Sequence, residues 1–402
     1  MRRVVVTGIG AVTPVGNTFK ISWESVLGGR SGISKIERFD VSDIGFKVAG
    51  QIRGLDFNSM LTRKERSRYD LFVQYAYMAA VEAVNGSGLS GNGISDANIV
   101  IGSSRAGISS IDTSIRNSII EKKKISAYLM PATTTSMAAS FIAQKLKING
   151  ECEGVSNACA SGLTAIGSAY RSISHGFSDI VIAGGTEAPV SRICLEGYGN
   201  SGALSSKQGP EASSPFDLNR DGFVLSEGAC VLVIEEYERA IKRRAEIHGE
   251  IIGYASSNDA FDQTRPSPKG EARTINLALK SAGIKKDFIG LVSAHAPSTV
   301  LGDSSESEAL HSALGAHSKE VPVSAIKSMT GHMLAASGAF EAAVSMMSIR
   351  SGQIPPTINL KEKDPACDLN VITTRTNNDH AYAMVNSFGF GGINAVLVVK
   401  GA

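Results

Sequence analysis

The sequence contains few residues that crosslink or anchor a chain. It has a single Trp in 402 residues, and none of its five cysteines forms a CxxC pair or another spacing typical of a metal site. An odd and scattered set of cysteines argues against a disulfide framework and favours a reducing compartment, in which one thiol can have a special role. The five are Cys152, Cys159, Cys194, Cys230 and Cys367.

Net charge and long hydrophobic runs are also scarce. A formal net charge of +2 argues against a nucleic-acid-binding function. No stretch approaches the roughly 20 uninterrupted apolar residues that span a bilayer. The apolar run at the N-terminus follows two arginines, as in a signal peptide, but Gly8, Gly10 and Pro14 end it early and favour a buried strand. We therefore expect no nucleic-acid partner, no membrane insertion and a cytoplasmic location.

Helix-like and strand-like segments alternate along the chain, and the alternation occurs twice. A helix predicted at 70–85 precedes an apolar strand at 98–102, and a helix predicted at 271–282 precedes a strand at 289–294. Each series continues into a helix rich in small residues and two further strands. These helices are predicted at 159–171 and 329–347, and the strands at 179–183, 228–236, 381–386 and 395–400.

This repetition predicts an α/β fold of two similar halves packed together as a layered structure. The halves are expected at 1–249 and 250–402, with the junction near Gly249. The extra length of the first half lies around 112–150, where we expect a cap or a subunit interface.

Cys159 is the candidate nucleophile. It lies in the segment GVSNACASG, where a strand gives way to a helix of small residues. A thiol at a helix N-terminus is close to the positive end of the helix dipole, which favours the thiolate. Unpaired backbone N–H groups at such a terminus can hold a developing oxyanion. The alternative is a buried structural cysteine, since free Cys is among the most buried residue types.

Two of the seven histidines lie at strand ends. His295 follows the predicted strand at 289–294, and His332 lies at a strand–turn–helix junction that matches the Cys159 junction. The carboxyl ends of strands are where α/β proteins usually build their sites, so both are candidate acid–base partners, with a structural role left open. No HxH, HxxxH or HExxH spacing supports a metal site, and we expect none. The other five are expected to be solvated: His175, His248, His311, His317 and His380.

Five motifs connect these segments to a known family. They are NACASG around Cys159, FDLNRDGFVLSEGA at 216–229, KSMTGH at 327–332, PPTINL at 355–360 and NSFGFGG at 386–392. In order and spacing they resemble the β-ketoacyl-acyl-carrier-protein synthases of the thiolase superfamily, specifically the elongating Cys-His-His (synthase II) type. The resemblance covers essentially the whole chain. It implies a thiolase-like fold with α-β-α-β-α layers and two βαβαβ halves, and an acyltransferase that performs a decarboxylating Claisen condensation.

The resemblance also implies roles for the candidate residues. Cys159 would take the acyl chain as a thioester, and the backbone N–H groups of Cys159 and Phe390 would form the oxyanion hole. His332 would donate a hydrogen bond to the malonyl carbonyl, and His295 would assist decarboxylation. Phe390 would also act as the gate between acylation and condensation. Each step concentrates negative charge on one thioester oxygen, which these groups can stabilise.

Further residues are implied to support or contact the substrate. Lys327 and Glu341 would fix the protonation and orientation of the histidines, although a plain buried ion pair stays open. Phe388 and Gly389, beside the gate, would contact the substrate. The flanking glycines could equally serve a simple turn.

The chain departs from the family pattern near the substrate. The family usually has Gly-Thr after the first catalytic His, whereas this chain has Ala296 and Pro297. Proline has neither hydroxyl nor N–H for the pantetheine arm, so Thr299 remains as the candidate contact. Arg105 stands where the family generally has an apolar residue bordering the acyl pocket. Either Arg105 turns away, or the substrate carries polar or conjugated groups, as in a specialised polyene or polyketide pathway beside the fatty-acid one.

The resemblance implies three kinds of partner: a malonyl thioester, an acidic acyl carrier protein, and a second subunit. The second subunit would be an identical chain or a Cys-lacking sister chain. No cofactor is expected, since phosphopantetheine arrives on the carrier. Carrier docking is predicted at basic residues, with a solvated charge run as the alternative. The candidates are Arg63, Lys64, Arg66 and Arg68, and secondly Lys123 and Lys124.

Two other functions share this scaffold. One is a thiolase-fold acyltransferase that does not elongate, and the other is a non-catalytic partner subunit of the chain-length-factor type. A thiolase would need a second cysteine at a suitable strand end, which is not found here. The presence of Cys159 argues against the non-catalytic subunit.

Overall fold

The computed structural model describes residues 1–402, except for the side chain of Asn92. Among the helices so described, none combines the length and hydrophobicity needed to cross a membrane. The strands are β1 Val4–Val12, β2 Ile33–Lys35, β3 Val48–Gly50, β4 Asn98–Gly102, β5 Cys152–Val155, β6 Ile180–Glu187, β7 Gly228–Glu236, β8 Gly249–Asn258, β9 Leu291–Ser293, β10 Val323–Ser324, β11 Gln353–Ile354, β12 Thr376–Asn377, β13 Tyr382–Gly389 and β14 Ile393–Lys400. The helices are α1 Phe19–Leu27, α2 Arg63–Arg68, α3 Leu71–Ser87, α4 Ile108–Ile120, α5 Leu129–Ala132, α6 Met137–Leu146, α7 Ser161–Ser174, α8 Arg192–Asn200, α9 Tyr237–Lys242, α10 Pro268–Ala282, α11 Val300–Leu314, α12 Lys327–Thr330 and α13 Ala335–Ser351.

Ten strands form one sheet in the order β10-β9-β13-β14-β8-β1-β7-β6-β4-β5. The order repeats about the centre. From the centre outwards, β1-β7-β6-β4-β5 on one side matches β8-β14-β13-β9-β10 on the other, with the same antiparallel and parallel pairings in the same places. The two series join because residues 4–6 of β1 pair with residues 249–251 of β8. The internal repetition is therefore a property of the sheet as well as of the sequence.

Helices lie on both sides of each half-sheet and between them. α3 packs on β1 and β7, α10 packs on β8 and β14, and α7 and α13 lie against strands of both halves. α3 has a clear local origin: Asp70 accepts a hydrogen bond from the Phe72 N–H at its start, and Gly88 ends it in a left-handed conformation. The resulting layers are helix, sheet, helix, sheet, helix, as the resemblance implied.

The two central helices begin in direct contact. A Cβ built on Gly162, in the first turn of α7, would lie 2.2 Å from the carbonyl oxygen of Ala335, the first residue of α13. Only glycine allows two backbones to approach so closely. The residues just before the two helices are therefore held side by side at the middle of the molecule.

Several predicted boundaries were wrong. The helix predicted at 329–347 is interrupted, because α12 ends at Thr330 and α13 starts at Ala335. Gly331 and Leu334 have φ values of 67° and 45°, which no α-helix accommodates. The helix predicted from Cys159 starts two residues later, at Ser161. The strand predicted at 289–294 comprises only β9, and β6 continues beyond the predicted 179–183 as far as Glu187.

The segment 112–150 contains most of α4, together with α5 and α6. In α4, in α5 and in the loop between them, it presents six apolar side chains to solvent. These are Ile115, Ile119, Ile120, Ile125, Tyr128 and Met130. β5 follows directly and forms one edge of the sheet, with exposed residues. An open strand edge beside an exposed apolar surface is typical of an interaction surface.

Candidate active site

Cys159 lies in a tight turn between β5 and α7. Ala158, just before it, has a φ of 47°, which L-residues rarely adopt. Ser161 closes the turn, since its Oγ accepts a hydrogen bond from the N–H of Asn157 at 2.8 Å. Ser387 of β13 donates its hydroxyl to the carbonyl of Cys159 at 3.1 Å. A residue of the second half of the chain thus holds the backbone of the nucleophile.

His332 lies in the corresponding turn between α12 and α13. Its N–H donates to the Val224 carbonyl at 2.8 Å, and its own carbonyl accepts from the Ser226 N–H at 3.0 Å. The Ser226 hydroxyl donates to the Thr330 carbonyl at 2.7 Å. The motif FDLNRDGFVLSEGA therefore supports this histidine, and here a segment of the first half holds a residue of the second.

His295 directly follows β9, in a turn built around a buried carboxylate. The N–H groups of His295 and Ala296 donate to Glu306 at 2.9 and 2.7 Å. Asn386 donates its Nδ2 to the same carboxylate at 2.8 Å. Ala296 has a φ of 22°, a strained value that these contacts maintain. The His295 side chain is left free of the turn, since its buried Nδ1 has no hydrogen-bond partner.

The three turns bring Cys159, His295 and His332 together in one pocket. One side-chain N or S atom of each lies within 4.8 Å of the others. The two imidazole centroids are 5.2 Å apart with ring planes at 79°, and Phe388 meets His295 edge to face at 6.1 Å. Two of the three residues come from the second half of the chain and one from the first. Such a donor set could also hold a metal ion, and the expectation of no metal stays a prediction.

A buried ion pair controls the charge of this pocket. Lys327 and Glu341 are each 1% exposed, and their side chains are 2.5 Å apart. Burial, together with the positive charge of Lys327, lowers the pKa of both His295 and His332 well below the usual value. Both imidazoles are therefore neutral at physiological pH, so each ring can donate one hydrogen bond and accept another.

The helix dipole was predicted to favour the Cys159 thiolate, and burial of the sulfur opposes it. Burial raises the pKa of the thiol to about 11, although the charge of Lys327 and the N–H of Phe390 act in the opposite direction. α7 begins two residues beyond Cys159, at Ser161. The thiol must therefore lose its proton while it reacts. The neutral imidazoles are close enough to take part.

The loop that carries Phe390 runs directly beside the nucleophile. The backbone N–H of Phe390 faces Cys159 and acts to lower the pKa of its thiol. A Cβ built on Gly389 would lie 3.2 Å from the nitrogen of Cys159 and 3.2 Å from the Cβ of Ala158. The absence of a side chain at Gly389 thus allows two N–H-bearing backbone segments to lie next to the reacting sulfur.

Arg105 is exposed, and it contacts the site through Tyr198. Its Nε donates to the hydroxyl of Tyr198 at 2.8 Å, and its guanidinium carbon lies 5.4 Å from the centroid of that ring. Tyr198 lines the pocket, where it meets Phe223 edge to face at 5.5 Å and Phe390 at 6.5 Å. Sequence reasoning missed Tyr198, because a lone tyrosine on a helix carries no local signal. The available signal is Arg105 itself, because a guanidinium near an apolar cluster requires a polar partner such as the Tyr198 hydroxyl.

Thr299 and Pro297 line the same pocket. Thr299 starts α11, where its Oγ1 accepts a hydrogen bond from the Gly302 N–H at 3.1 Å. Its hydroxyl hydrogen is not used by that contact and can still be donated. Thr299 is therefore both a helix cap and a possible substrate contact.

The predicted docking residues differ in their surroundings. Arg63 and Lys64 are exposed and form no ion pair among the described residues. Arg66 is half-buried, and Arg68 is occupied by a neighbour, since it donates to the Tyr128 hydroxyl at 2.7 Å and lies over that ring at 4.1 Å. The freely presented part of this segment is therefore its first turn.

The second basic segment is more dispersed. Lys123 forms an ion pair with Glu121 on the same loop, whereas Lys124 is exposed and unpaired within the part of the chain that the structure describes. A surface pair of this kind is weak and easily exchanged for another partner.

One histidine was wrongly expected to be solvated. His380 is 7% exposed, and its Nδ1 is 2.9 Å from the Asn378 carbonyl. It packs against Gly290, where a Cβ would meet the Cβ of His380 at 2.5 Å. Burial lowers the pKa of His380. The loop around it is polar in sequence, which concealed this tertiary contact.

Family models match both parts of the chain. Residues 1–240 match the model described as beta-ketoacyl synthase, N-terminal domain, and residues 248–361 match the C-terminal domain of the same family. The 3-oxoacyl-[acyl-carrier-protein] synthase 2 of Vibrio cholerae is 40% identical over 410 residues, which cover 99% of each chain. The protein of the same name from Synechocystis sp. is 38% identical over 408 residues, covering 99% of this chain and 98% of the relative.

Solved structures extend the similarity to the fold. The ishigamide ketosynthase/chain length factor superposes with a TM-score of 0.94 at 32% identity, covering 100% of this chain and 99% of that one. A second match is a type II PKS ketosynthase in complex with its acyl-carrier protein and bound to the hexaketide. Its TM-score is 0.91 at 32% identity, with 100% of both chains covered. A beta-ketoacyl synthase from Burkholderia phymatum gives 0.93 at 32% identity, again with full coverage of both chains.

Proposed function

The chain belongs to the β-ketoacyl synthase family, and from this premise we propose how its residues perform the condensation. The protein is an acyltransferase that elongates an acyl chain on a carrier protein. The Cys159 sulfur attacks the acyl thioester, and the carrier thiol leaves with the proton. Malonyl-carrier thioester then loses CO2, and the resulting carbanion attacks the acyl carbonyl. The products are β-ketoacyl-carrier protein and the free Cys159 thiol, which regains a proton.

The observation that supports these roles is the convergence of three side chains from three separate turns. Cys159, His295 and His332 present atoms within 4.8 Å of one another, a space that one thioester group can fill. A structural cysteine would not require two buried neutral imidazoles beside it.

The imidazoles stabilise the negative charge that decarboxylation creates. A neutral His332 donates its N–H to the malonyl thioester oxygen as the enolate forms, and His295 lies on the same side at 5.2 Å between ring centroids. The Lys327 charge favours the neutral rings. An imidazolium would give up its proton to the enolate, whereas a neutral ring holds it as a hydrogen-bond donor.

The N–H groups of Phe390 and Cys159 form the second stabilising site, for the oxyanion made when the acyl carbonyl is attacked. The Phe390 N–H faces Cys159 and acts to lower the pKa of its thiol. Once the sulfur is acylated, the carbonyl oxygen lies next to the sulfur and can accept a hydrogen bond from this N–H. Phe390, between Gly389 and Gly391, is also suited to move as a gate, because glycines tolerate a wide range of backbone angles.

The protein needs no resident cofactor for these steps. The phosphopantetheine arm of the carrier would enter along Thr299 and Pro297, which line the pocket. Thr299 can donate its hydroxyl hydrogen to an amide of the arm, while Pro297 supplies only apolar contact. The carrier itself would dock on the exposed Arg63 and Lys64, the two freely presented cations of the first basic segment.

A second subunit would cover the apolar surface of α4 and α5 and the open edge of β5. Burial of this surface would remove exposed apolar area and pair the free strand edge. The partner is a second copy of this chain or a sister chain without the cysteine. Because this chain has Cys159, it is the catalytic member in either case.

Intact-mass measurement with a panel of acyl-carrier thioesters tests the nucleophile. The native protein should gain the mass of one acyl group, and malonyl-carrier protein should then release a β-ketoacyl product. Cys159→Ala should gain no acyl mass. The matched control is Cys367→Ala, which removes a buried free thiol outside the pocket lining and should be acylated normally. A gain of acyl mass by Cys159→Ala would contradict the proposal that Cys159 is the nucleophile.

A further inference from the structure

Tyr198, on the wall of the pocket and in a cluster that is otherwise apolar, forms a polar pair with the exposed Arg105. We propose that this pair selects flat, conjugated acyl chains over saturated chains of the same length; this inference rests on the proposed function of Cys159. Cys159, Tyr198, Phe390 and Ile108 all pack against the same buried apolar cluster. An acyl chain that leaves the Cys159 sulfur away from the histidines meets this cluster, and Tyr198 is the residue of the pocket that links it to Arg105.

The backbone of Arg105 is rigidly placed. The N–H groups of Ser104 and Arg105 donate to the carboxylate of Glu187 at 2.7 and 2.9 Å, and the Ser103 hydroxyl donates to it at 3.0 Å. Glu187 is fully buried at the end of β6. Three hydrogen bonds to one side chain thus hold the loop. They fix the backbone position from which the Arg105 side chain reaches Tyr198.

The guanidinium is incompletely satisfied. Its Nε is used by the Tyr198 hydroxyl, but no carboxylate lies within ion-pair distance, and its two Nη groups have no hydrogen-bond partner within the described residues. Arg105 is exposed in the single chain, so water can serve these donors. A chain lying across Tyr198, or a subunit covering this surface, would displace that water.

The nature of the displacing chain then matters. A saturated chain offers the guanidinium neither hydrogen-bond acceptors nor π electrons. The N–H groups of Arg105 would therefore lose their water without compensation. A conjugated chain presents a flat π face, which a guanidinium attracts and on which it can stack. The aromatic rings of Tyr198, Phe223 and Phe390 supply a wall that favours the same flat shape.

The test compares two pantetheine thioesters of equal length, octanoyl and 2,4,6-octatrienoyl, by the rate at which each acylates Cys159. The native protein should favour the trienoyl thioester. In Arg105→Leu the ratio of the two rates should fall about tenfold, mainly because the saturated chain reacts faster. Tyr198→Phe should lower the ratio by less, since the cation remains but loses its anchor. The matched control is Arg375→Leu, an exposed arginine without an ion pair among the described residues.

Each outcome decides a separate point. An unchanged ratio in Arg105→Leu, with both thioesters still reacting, would overturn the inference and leave the proposed function intact. Failure of the native protein to be acylated by any thioester would instead overturn the proposed function. A native preference for a 3-oxooctanoyl thioester over both would show that the guanidinium recognises oxygen acceptors, which also overturns the assignment to conjugated chains.

Discussion

The turn that carries Cys159 and the turn that carries His332 occupy corresponding places in the two halves of the molecule. Each precedes a central helix and contains one L-residue with positive φ, Ala158 at 47° in one and Leu334 at 45° in the other. Each is held by the opposite half, the first by Ser387 and the second by the segment around Val224. Each of the two turns therefore depends on hydrogen bonds from the other half of the chain.

The two turns differ in charge. The first turn carries a half-buried thiol among small residues. The second is flanked by the buried pair of Lys327 and Glu341, and its His332 imidazole lies beside that of His295. The proton affinities that the chemistry needs are therefore adjusted mainly from the second half. The first half contributes the nucleophile and the surface that guides the chain.

The most direct way to separate the two turns is to remove the imidazole from the second. In His332→Ala, condensation should fall by about 10²- to 10⁴-fold, the usual contribution of a positioned acid–base group. Acylation of Cys159 should persist, which intact mass would detect while a product assay measures condensation. The control is His175→Ala, an exposed histidine far from the pocket. Equal loss of both steps would contradict the division of tasks.

Removal of the Lys327 charge should shift the pH dependence of the condensation reaction. In native protein the pKa of His295 and His332 is depressed, so the unfolded imidazoles take up protons first and the free energy of unfolding falls as pH drops below about 6.5. Lys327→Met should raise both pKa values, so condensation should be lost at a higher pH than in the native protein. It should also destabilise the fold by about 3–5 kcal/mol, because Glu341 is left buried and unpaired.

A double variant distinguishes these two effects. Lys327→Met with Glu341→Leu should recover most of the stability in thermal or denaturant unfolding, since no unpaired charge remains. The acidic limb of its condensation profile should stay shifted to higher pH. A profile that returned to the native position would show that Lys327 acts only as a structural partner of Glu341.

The contact between the two central helices offers a matched pair of glycines. Gly162→Ala places a methyl group 2.2 Å from the Ala335 carbonyl and should destabilise the protein by about 1–3 kcal/mol, with reduced activity. Gly338→Ala meets the Cβ of Leu163 at 3.1 Å, so a shift of a few tenths of an ångström suffices and the effect should be smaller. Unfolding midpoints measure both. Equal effects would contradict the idea that this backbone approach aligns the two turns.

The smallest effect is expected at the surface. Lys64→Glu should raise KM for carrier-bound substrates several-fold and weaken its dependence on salt, because an exposed charge contributes mainly to encounter. The same variant should treat pantetheine thioesters as the native protein does. Unchanged kinetics with the carrier-bound substrate would remove this segment from the docking surface.

Local signals predicted much of the fold. The strands at 98–102 and 228–236 were predicted to the residue, because apolar β-branched runs end there at turns or at changes of pattern. The sites of Cys159, His295 and His332 at strand-end turns were also evident, and the structure brings all three together. The family motifs added the expected layers of the fold.

The remaining features depend on contacts between distant segments. The run around 329–347 is rich in helix-forming residues, and only the hydrogen bonds of His332 to residues 224 and 226 reveal why the helix is interrupted. The raised pKa of Cys159 follows from burial, which no local pattern reports. The bond between Arg105 and Tyr198 joins residues 93 positions apart, so neither segment predicts it alone.

The central position of β1 has a consequence for biosynthesis. This strand leaves the ribosome before its neighbours in the finished sheet, β7 and β8, which are complete only when residue 258 has been added. At a translation rate of about 5–20 residues per second, the edges of β1 stay unpaired for on the order of ten seconds or more. During that interval the nascent chain depends on chaperones or on transient local cover, so recombinant yield should respond to slower translation and lower temperature.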